Sequence, residues 1–334
     1  MHTSSLAAPP SRSKASLARF TAMGMCVETD FEFTLLPAAG ESSAPDLTLV
    51  EGAYFPPALA KVRHFGHPGD APGYISGFED ENGMQIRIGG AGRYWLRPGY
   101  RHMTYELEPD RPIADAQHWF TAFVLGVVAQ CQRRIVLHAS SVQIANVGVA
   151  FIGVGGTGKT TLAAAFARDG FPMLSEDSLP VRLADGALVA HPYVPGLRLW
   201  PESVAALAGA DPGYDVALSW LEKKRLPMGS DWGQVASHEI NLPVIYDLAP
   251  ATDDSDGIAI DEVSGAQKVV RLVGSTYFAE VLSTRQQFDL MSRLETVAEA
   301  VRMRRITYPR RFDSLPALKE TIIRDSREVA GGCA

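Results

Sequence analysis

An α/β fold is predicted, with a phosphate-loop domain following a smaller β-rich N-terminal domain, and three observations predict it. Strand-sized alternating runs broken by turn residues fill the stretch 26–108. One long helical pattern follows over residues 114–132. An apolar strand then enters a glycine-rich loop and leaves it as a helix, over residues 149–168. The boundaries implied are a disordered tail over 1–20, the β-rich domain over 21–114 and the phosphate-loop domain over 115–334.

The tail is rich in Ser, Ala and Pro and has little to bury. Arg12, Lys14 and Arg19, with no acid among them, give it the look of a targeting peptide, but it lacks a continuous apolar core and is read as a tail. In the β-rich part, residues 31–35, 84–88, 94–96 and 103–107 alternate, and Gly66-His67-Pro68-Gly69, Gly89-Gly90 and Arg97-Pro98-Gly99 punctuate them. The helix over 114–132 is amphipathic at its start and nearly all apolar by Val124-Leu125-Gly126-Val127-Val128, so it packs between the two halves. Residues 135–144 and 147–152 read as two strands joined at Ala145-Asn146. Further on, helices are expected over 201–208, 285–303 and 315–324, strands over 243–248 and 304–308, and an exposed loop over 253–257.

Composition limits the function. The chain has 334 residues, enough for two domains at roughly 150 residues each. With 46% hydrophobic and 21% charged residues it is no mainly disordered protein. A formal charge of −7 argues against a nucleic-acid partner. The most apolar stretch, 119–129, is about half the ~20 residues of a spanning helix, so no membrane segment is expected. Cys26, Cys131 and Cys333 are widely spaced without a CxxC pair, which fits a reducing cytoplasm and neither a disulfide framework nor a zinc site.

The strongest signal is Gly153-Val154-Gly155-Gly156-Thr157-Gly158-Lys159-Thr160, a full match to the phosphate-loop pattern in its proper context. Gly153, Gly155, Gly156 and Gly158 let the backbone curl so that N–H groups face a pyrophosphate with no Cβ in the way. The helix N-terminus adds unpaired N–H groups and partial positive charge. Lys159 can reach the β- and γ-phosphate oxygens, and the Thr160 hydroxyl can ligate Mg²⁺. Thr157 and Thr161 complete the nucleotide-binding set, and the cofactors expected are ATP and Mg²⁺.

Gly170 ends the helix as a C′ residue should, and a short strand over 171–175 runs into Glu176-Asp177. A three-turn helix and a short strand return the chain to the phosphate end of the sheet, next to the loop. Two acids there suggest two roles, one holding Mg²⁺ and one accepting a hydroxyl proton.

These motifs resemble the HPr kinase/phosphorylase superfamily, whose nucleotide-binding fold is related to phosphoenolpyruvate carboxykinase. The closer likeness is to the HPr-kinase-like serine kinases found beside peptide-modification genes, including lasso-peptide precursor kinases. The matching text runs through Gly92-Arg93-Tyr94-Trp95-Leu96-Arg97-Pro98-Gly99, Leu137-His138-Ala139-Ser140-Ser141-Val142, the phosphate loop and Leu174-Ser175-Glu176-Asp177. It continues through Pro195-Gly196-Leu197-Arg198-Leu199-Trp200-Pro201, Lys224-Arg225-Leu226, residues 242–248 and Thr307-Tyr308-Pro309-Arg310-Arg311-Phe312-Asp313.

The resemblance implies that Lys159 and Thr160 bind the triphosphate and its metal. It also implies that Glu176 is the base, that Asp177 is a metal ligand, and that His138 stands near the phosphates as a third catalytic residue. Two departures stand out. Glu176 replaces the family's first Asp, and Tyr193-Val194-Pro195-Gly196-Leu197-Arg198 lacks the Glu and Arg of the Glu-x-Arg-Gly-Leu-Gly signature. The second departure argues against HPr as acceptor and against the phosphorylase reaction. Arg198 reads equally as a phosphate contact or a surface arginine. The basic clusters Lys223-Lys224-Arg225 and 302–311 read as solvated faces, with steering of ATP or an acidic peptide as the alternative. The function expected is Mg-ATP-dependent phosphorylation of a serine hydroxyl on a peptide or small protein, such as a ribosomal natural-product precursor, with homo-oligomerisation left open. A small-molecule kinase and a non-catalytic ATP-binding regulator are the rivals.

Overall fold

The computed structural model describes residues 17–40, 44–59, 62–66, 72–209, 213–251, 257–277 and 279–331. The expected tail up to residue 16, residues 67–69 of the expected turn at 66–69, residues 253–256 of the expected loop at 253–257, and Cys333 lie outside the described residues.

The N-terminal part is one sheet of eight strands: β1 (Ala18–Ala22), β2 (Met25–Thr29), β3 (Leu47–Glu51), β4 (Arg63–Gly66), β5 (Ile75–Asp80), β6 (Gly83–Ile88), β7 (Gly92–Leu96) and β8 (His102–Leu107). Their order is β1-β2-β3-β8-β7-β6-β5-β4, with β3 parallel to both β2 and β8 and every other pair antiparallel. β1 begins inside the segment expected to be tail, because its backbone pairs fully with β2 and Arg19 Nε reaches Glu28 at 3.0 Å. Residues 31–35 alternate yet form no strand. The Phe31 N–H turns back onto Thr29 Oγ1 at 2.9 Å, and Phe31 and Phe33 instead fill the core beside Phe120.

The expected long helix is present as α1 (Ile113–Trp119), a π-helical turn Phe120–Val124, and α2 (Leu125–Cys131). The turn is wholly buried, and Phe120 packs against Phe31, Phe33, Tyr94 and Tyr105 at ring separations of 4.6 to 5.7 Å. The elements after it are β9 (Ile135–His138), β10 (Ser140–Ile144), β11 (Val147–Ile152), α3 (Lys159–Arg168), β12 (Met173–Ser175), β13 (Ser178–Ala184), β14 (Ala187–Ala190), β15 (Leu197–Leu199), α4 (Pro201–Ala208), β16 (Val216–Leu218) and β17 (Leu221–Leu226). Then come β18 (Ile240–Asn241), β19 (Val244–Pro250), β20 (Ala259–Val263), α5 (Ala266–Gly274), α6 (Thr284–Ala300), β21 (Arg302–Tyr308) and α7 (Leu315–Gly331). They build a six-stranded sheet β12-β10-β11-β19-β21-β20, a four-stranded sheet β18-β14-β13-β9 and a three-stranded sheet β15-β17-β16.

Two expectations are corrected here. The single strand expected over 135–144 is two strands in different sheets, broken at Ala139. The helix expected over 285–303 stops at Ala300, where a capping box at Ser283 and Gln286 fixes its other end. Met303 leaves the helix to pair with Ile245 and is fully buried there, so tertiary burial overrides a local helical pattern.

In the parallel strands, alternate residues serve two cores. Phe151 and Tyr246 face α3 and Phe166, while Ile152 and Ile245 face the other side. That other side belongs to one continuous apolar cluster running from Met84 and Tyr94 through Phe120 and Val128 to Leu137 and Leu174. The N-terminal sheet and the phosphate-loop half therefore share a core. No helix among the described residues is long and apolar enough to cross a membrane. Cys26 and Cys131 are buried free thiols.

Candidate active site

β11 leads into the phosphate loop and α3 leaves it. Gly153 has φ +141°, and a Cβ there would lie 2.9 Å from the Leu248 carbonyl oxygen, so only glycine fits where the loop passes β19. Gly158 caps α3 with φ 91° and no side chain satisfies the helix's first N–H groups, which leaves donors for an anion. Lys159 is only 6% exposed, and its Nζ donates to the Gly153 and Val154 carbonyls at 2.8 and 3.4 Å. The ammonium thus sits inside the curl of its own loop. The Thr160 hydroxyl makes no hydrogen bond among the described residues, whereas Thr161 Oγ1 is 3.0 Å from Ser203 Oγ on α4. Thr161 is therefore tied to the scaffold.

β12 and β11 are both antiparallel to β10, which lies between them, so both end at the same edge of the sheet. Ser141 stands opposite Ala150 on one side and Ser175 on the other. The chain then leaves β12 through Glu176-Asp177 and enters the second sheet as β13. β9 and β10 make the same change of sheet at His138-Ala139. The two crossovers lie side by side: Ala139 N–H donates to the Asp177 carbonyl at 3.1 Å, and the Ser140 hydroxyl donates to the Glu176 carbonyl. His138 Nδ1 consequently lies 3.1 Å from Asp177 Oδ1. This pairing depends on the break at Ala139.

The two carboxylates occupy opposite environments. The Glu176 side chain is 3% exposed and its Oε2 receives Arg198 Nε at 3.1 Å together with Arg198 Nη2. Burial raises its pKa above the ordinary carboxylate value despite that arginine. The Asp177 side chain is 28% exposed and accepts the Tyr277 hydroxyl at 3.2 Å. Burial works against its ionisation too, but the contact with His138 and the charges of His138, Arg198 and Lys223 prevail and hold it well below the usual range. Asp177 is also the charge that most supports protonation of Lys159, whose pKa burial lowers. Carboxylate and loop lysine are thus electrostatically coupled.

Arg198 is no surface arginine. Its side chain is 12% exposed, its Nη1 lies 2.9 Å from His118 Nδ1, and Glu176 holds it firmly protonated. Burial, then Arg198 and Arg225, push the His118 pKa down to about 2. Lys223, Lys224 and Arg225 are half-buried rather than a solvated face. Lys223 lies 5.5 Å over the Trp200 ring, and its charge acts on Lys159, Glu176 and Asp177. His118, Tyr277 and the buried Asp247 carry no local sequence signal. Asp247 stands opposite Ile152 on β19, with Arg271 Nη1 3.0 Å from its Oδ2.

No group of three or more His, Cys, Asp or Glu among the described residues forms a metal cage. Mg²⁺ is commonly held by one or two carboxylates plus substrate phosphates, and Asp177 with Thr160 fits that partial set.

No family model matches the chain, and no curated protein matches it. Among solved structures, the HPr(Ser) kinase/phosphatase from Coxiella burnetii aligns at 15% identity and a TM-score of 0.33, covering 59% of this chain and 93% of that one.

Proposed function

We propose that the protein is a Mg-ATP-dependent kinase acting on a serine hydroxyl of a peptide or small protein, such as a ribosomally made precursor peptide. One observation carries the reading: a phosphate loop with an inward lysine shares a sheet edge with two carboxylates whose acidities are driven apart. Such divergence separates acid–base roles in enzyme sites. Glu176, raised by burial, is the proton acceptor, because a base works best when its pKa approaches the working pH. Asp177, held ionised, is the cation ligand together with Thr160. Lys159 and the N–H groups from Gly153 to Thr160 hold the phosphates, and His138 supports them from the Asp177 side. Bound there, Mg-ATP would supply the transferable phosphoryl group. The missing Glu-x-Arg signature before Arg198 favours an acceptor other than HPr.

A second reading, an ATP-binding regulator without transfer, is favoured by the Arg198 clamp on Glu176. The test is incubation with Mg-ATP and either HPr or a candidate precursor peptide, followed by mass spectrometry. A phosphate gained on a peptide serine supports the proposal, and phosphorylation of HPr alone overturns its acceptor. ATP binding without any turnover selects the regulator. Lys159→Ala should abolish transfer and keep the fold, since that lysine serves ligand charge and not packing.

A further inference from the structure

β11, β19 and β21 are parallel neighbours, so the residues after β21 emerge at the edge where the phosphate loop begins. Ligands of open α/β sheets gather at this carboxyl edge. The Tyr308 hydroxyl donates to the Thr157 carbonyl and lies 3.8 Å from where a Cβ of Gly158 would stand. This bond ties the end of β21 to the loop. Two residues on, Arg310 Nη2 lies 3.7 Å from where a Cβ of Gly156 would stand. Arg310 is exposed and has no ion pair or hydrogen bond among the described residues. The adjacent Arg311 is different, with Nε 2.8 Å from Asp313 Oδ1. The Arg310 charge is also felt at Tyr308, where it opposes the burial that pushes the phenol up to about 12.

We infer that Arg310 is a further phosphate-binding residue, which brings a guanidinium from just beyond β21 to the triphosphate beside Gly156. The inference rests on the nucleotide-binding reading above. A planar fork beside a glycine has room to meet two phosphate oxygens at once, which a point charge does not do. Sequence alone placed this arginine in a basic cluster read as a solvated face, with steering of ATP or an acidic peptide as the alternative, because Gly156 and Arg310 are far apart in the chain.

The test is ATP affinity in the presence of Mg²⁺, measured by calorimetry on the full chain and on the Arg310→Ala, Arg310→Lys, Arg311→Ala and Lys159→Ala variants. Arg310→Ala should weaken binding roughly tenfold or more, as expected for a lost charge-assisted contact. Arg310→Lys should lose less, and Arg311→Ala should stay within about twofold of wild type. Thermal melts without nucleotide should be alike for Arg310→Ala and wild type, because the side chain has no partner to lose. Unchanged ATP affinity in Arg310→Ala, with loss in Lys159→Ala, overturns the inference and leaves the nucleotide site standing. Equal losses in Arg310→Ala and Arg311→Ala also overturn it, since a general field would then be responsible. A wild-type protein that does not bind ATP overturns both.

Discussion

The N-terminal sheet and the six-stranded sheet both carry many charges, and they handle them in opposite ways. In the N-terminal sheet, Arg19 faces Glu28, Arg63 faces Glu79 and Arg93 faces Glu106, each pair directly opposite in its own ladder. These are local cross-strand pairs at the surface, and such pairs contribute little and mainly support register. A groove of about 880 Å³ lies over this sheet beside His64, Phe78 and Arg93. At the edge of the six-stranded sheet, Lys159 from α3, Glu176 and Asp177 from the connection after β12, and Arg198 from β15 sit half or wholly buried. Arg198 pairs with Glu176 and also lies 3.9 Å from Asp177, and the acidities of the two carboxylates shift in opposite directions. The comparison teaches that the ladder charges are met by the residue directly opposite, whereas the charges at the sheet edge are held buried by contacts between different elements, the pattern that makes a cluster a functional-site candidate.

The largest expected effect falls on the acids. Glu176→Gln should lower kcat by roughly 10²–10⁴ with ATP affinity nearly unchanged. Asp177→Asn should raise the Mg²⁺ concentration needed for half-maximal rate. Initial rates across ATP and Mg²⁺ titrations check both, and the reverse pattern would exchange their roles.

Next is the seam between the two regions. Phe120→Ala removes a fully buried ring that touches residues of both the N-terminal sheet and the segment at 31–33, and should cost about 3–5 kcal/mol. Because one apolar cluster spans both halves, unfolding in urea should stay a single transition. Two separated transitions would show that the regions are independent after all.

A smaller effect is expected from acid. His118 is kept neutral in the fold, with its pKa down to about 2. In the unfolded chain it takes a proton near pH 6.5. Below that pH the unfolded state binds the extra proton, so stability falls as the pH drops, by at most ~1.4 kcal/mol per pH unit from this group. Urea midpoints between pH 5 and pH 7.5 should show a shallower acid loss in His118→Gln. An unchanged slope would mean that His118 is protonated in the fold.

The smallest effect belongs to the N-terminal ladder. Glu106→Gln breaks the pair with Arg93, whose side chain is 50% exposed, and should change stability by only ~0.2–1 kcal/mol, less in high salt. A larger loss would erase the contrast between surface pairs and the buried site.

Much of the candidate site was legible because the phosphate-loop pattern is local. The glycines, Lys159 and Thr160 must be contiguous to curl one loop, and the helix after them must start at once. The acids were legible for a similar reason, since α3 and β12 form a short return path. His118 and Tyr277 were not, and Arg198 was legible only as an even choice between a phosphate contact and a surface arginine, because each is positioned by an element with no fixed spacing from the loop. His138 was named from a resemblance, but its contact with Asp177 follows from the break at Ala139, which an unbroken apolar pattern over 135–144 conceals.

By itself, then, the sequence determined the phosphate loop, its strand and helix, and the presence of two carboxylates a short way downstream, because these depend on backbone conformation and neighbouring residues. Only the tertiary structure decided which carboxylate is fully buried and which is partly exposed, and that Arg198 clamps the first. It also decided that the two halves share a core, and that Met303 belongs to a strand. The physical reason is that burial and charge pairing are properties of what surrounds a residue in space, and strands β10, β15 and β21 bring those surroundings from parts of the chain whose spacing carries no signal.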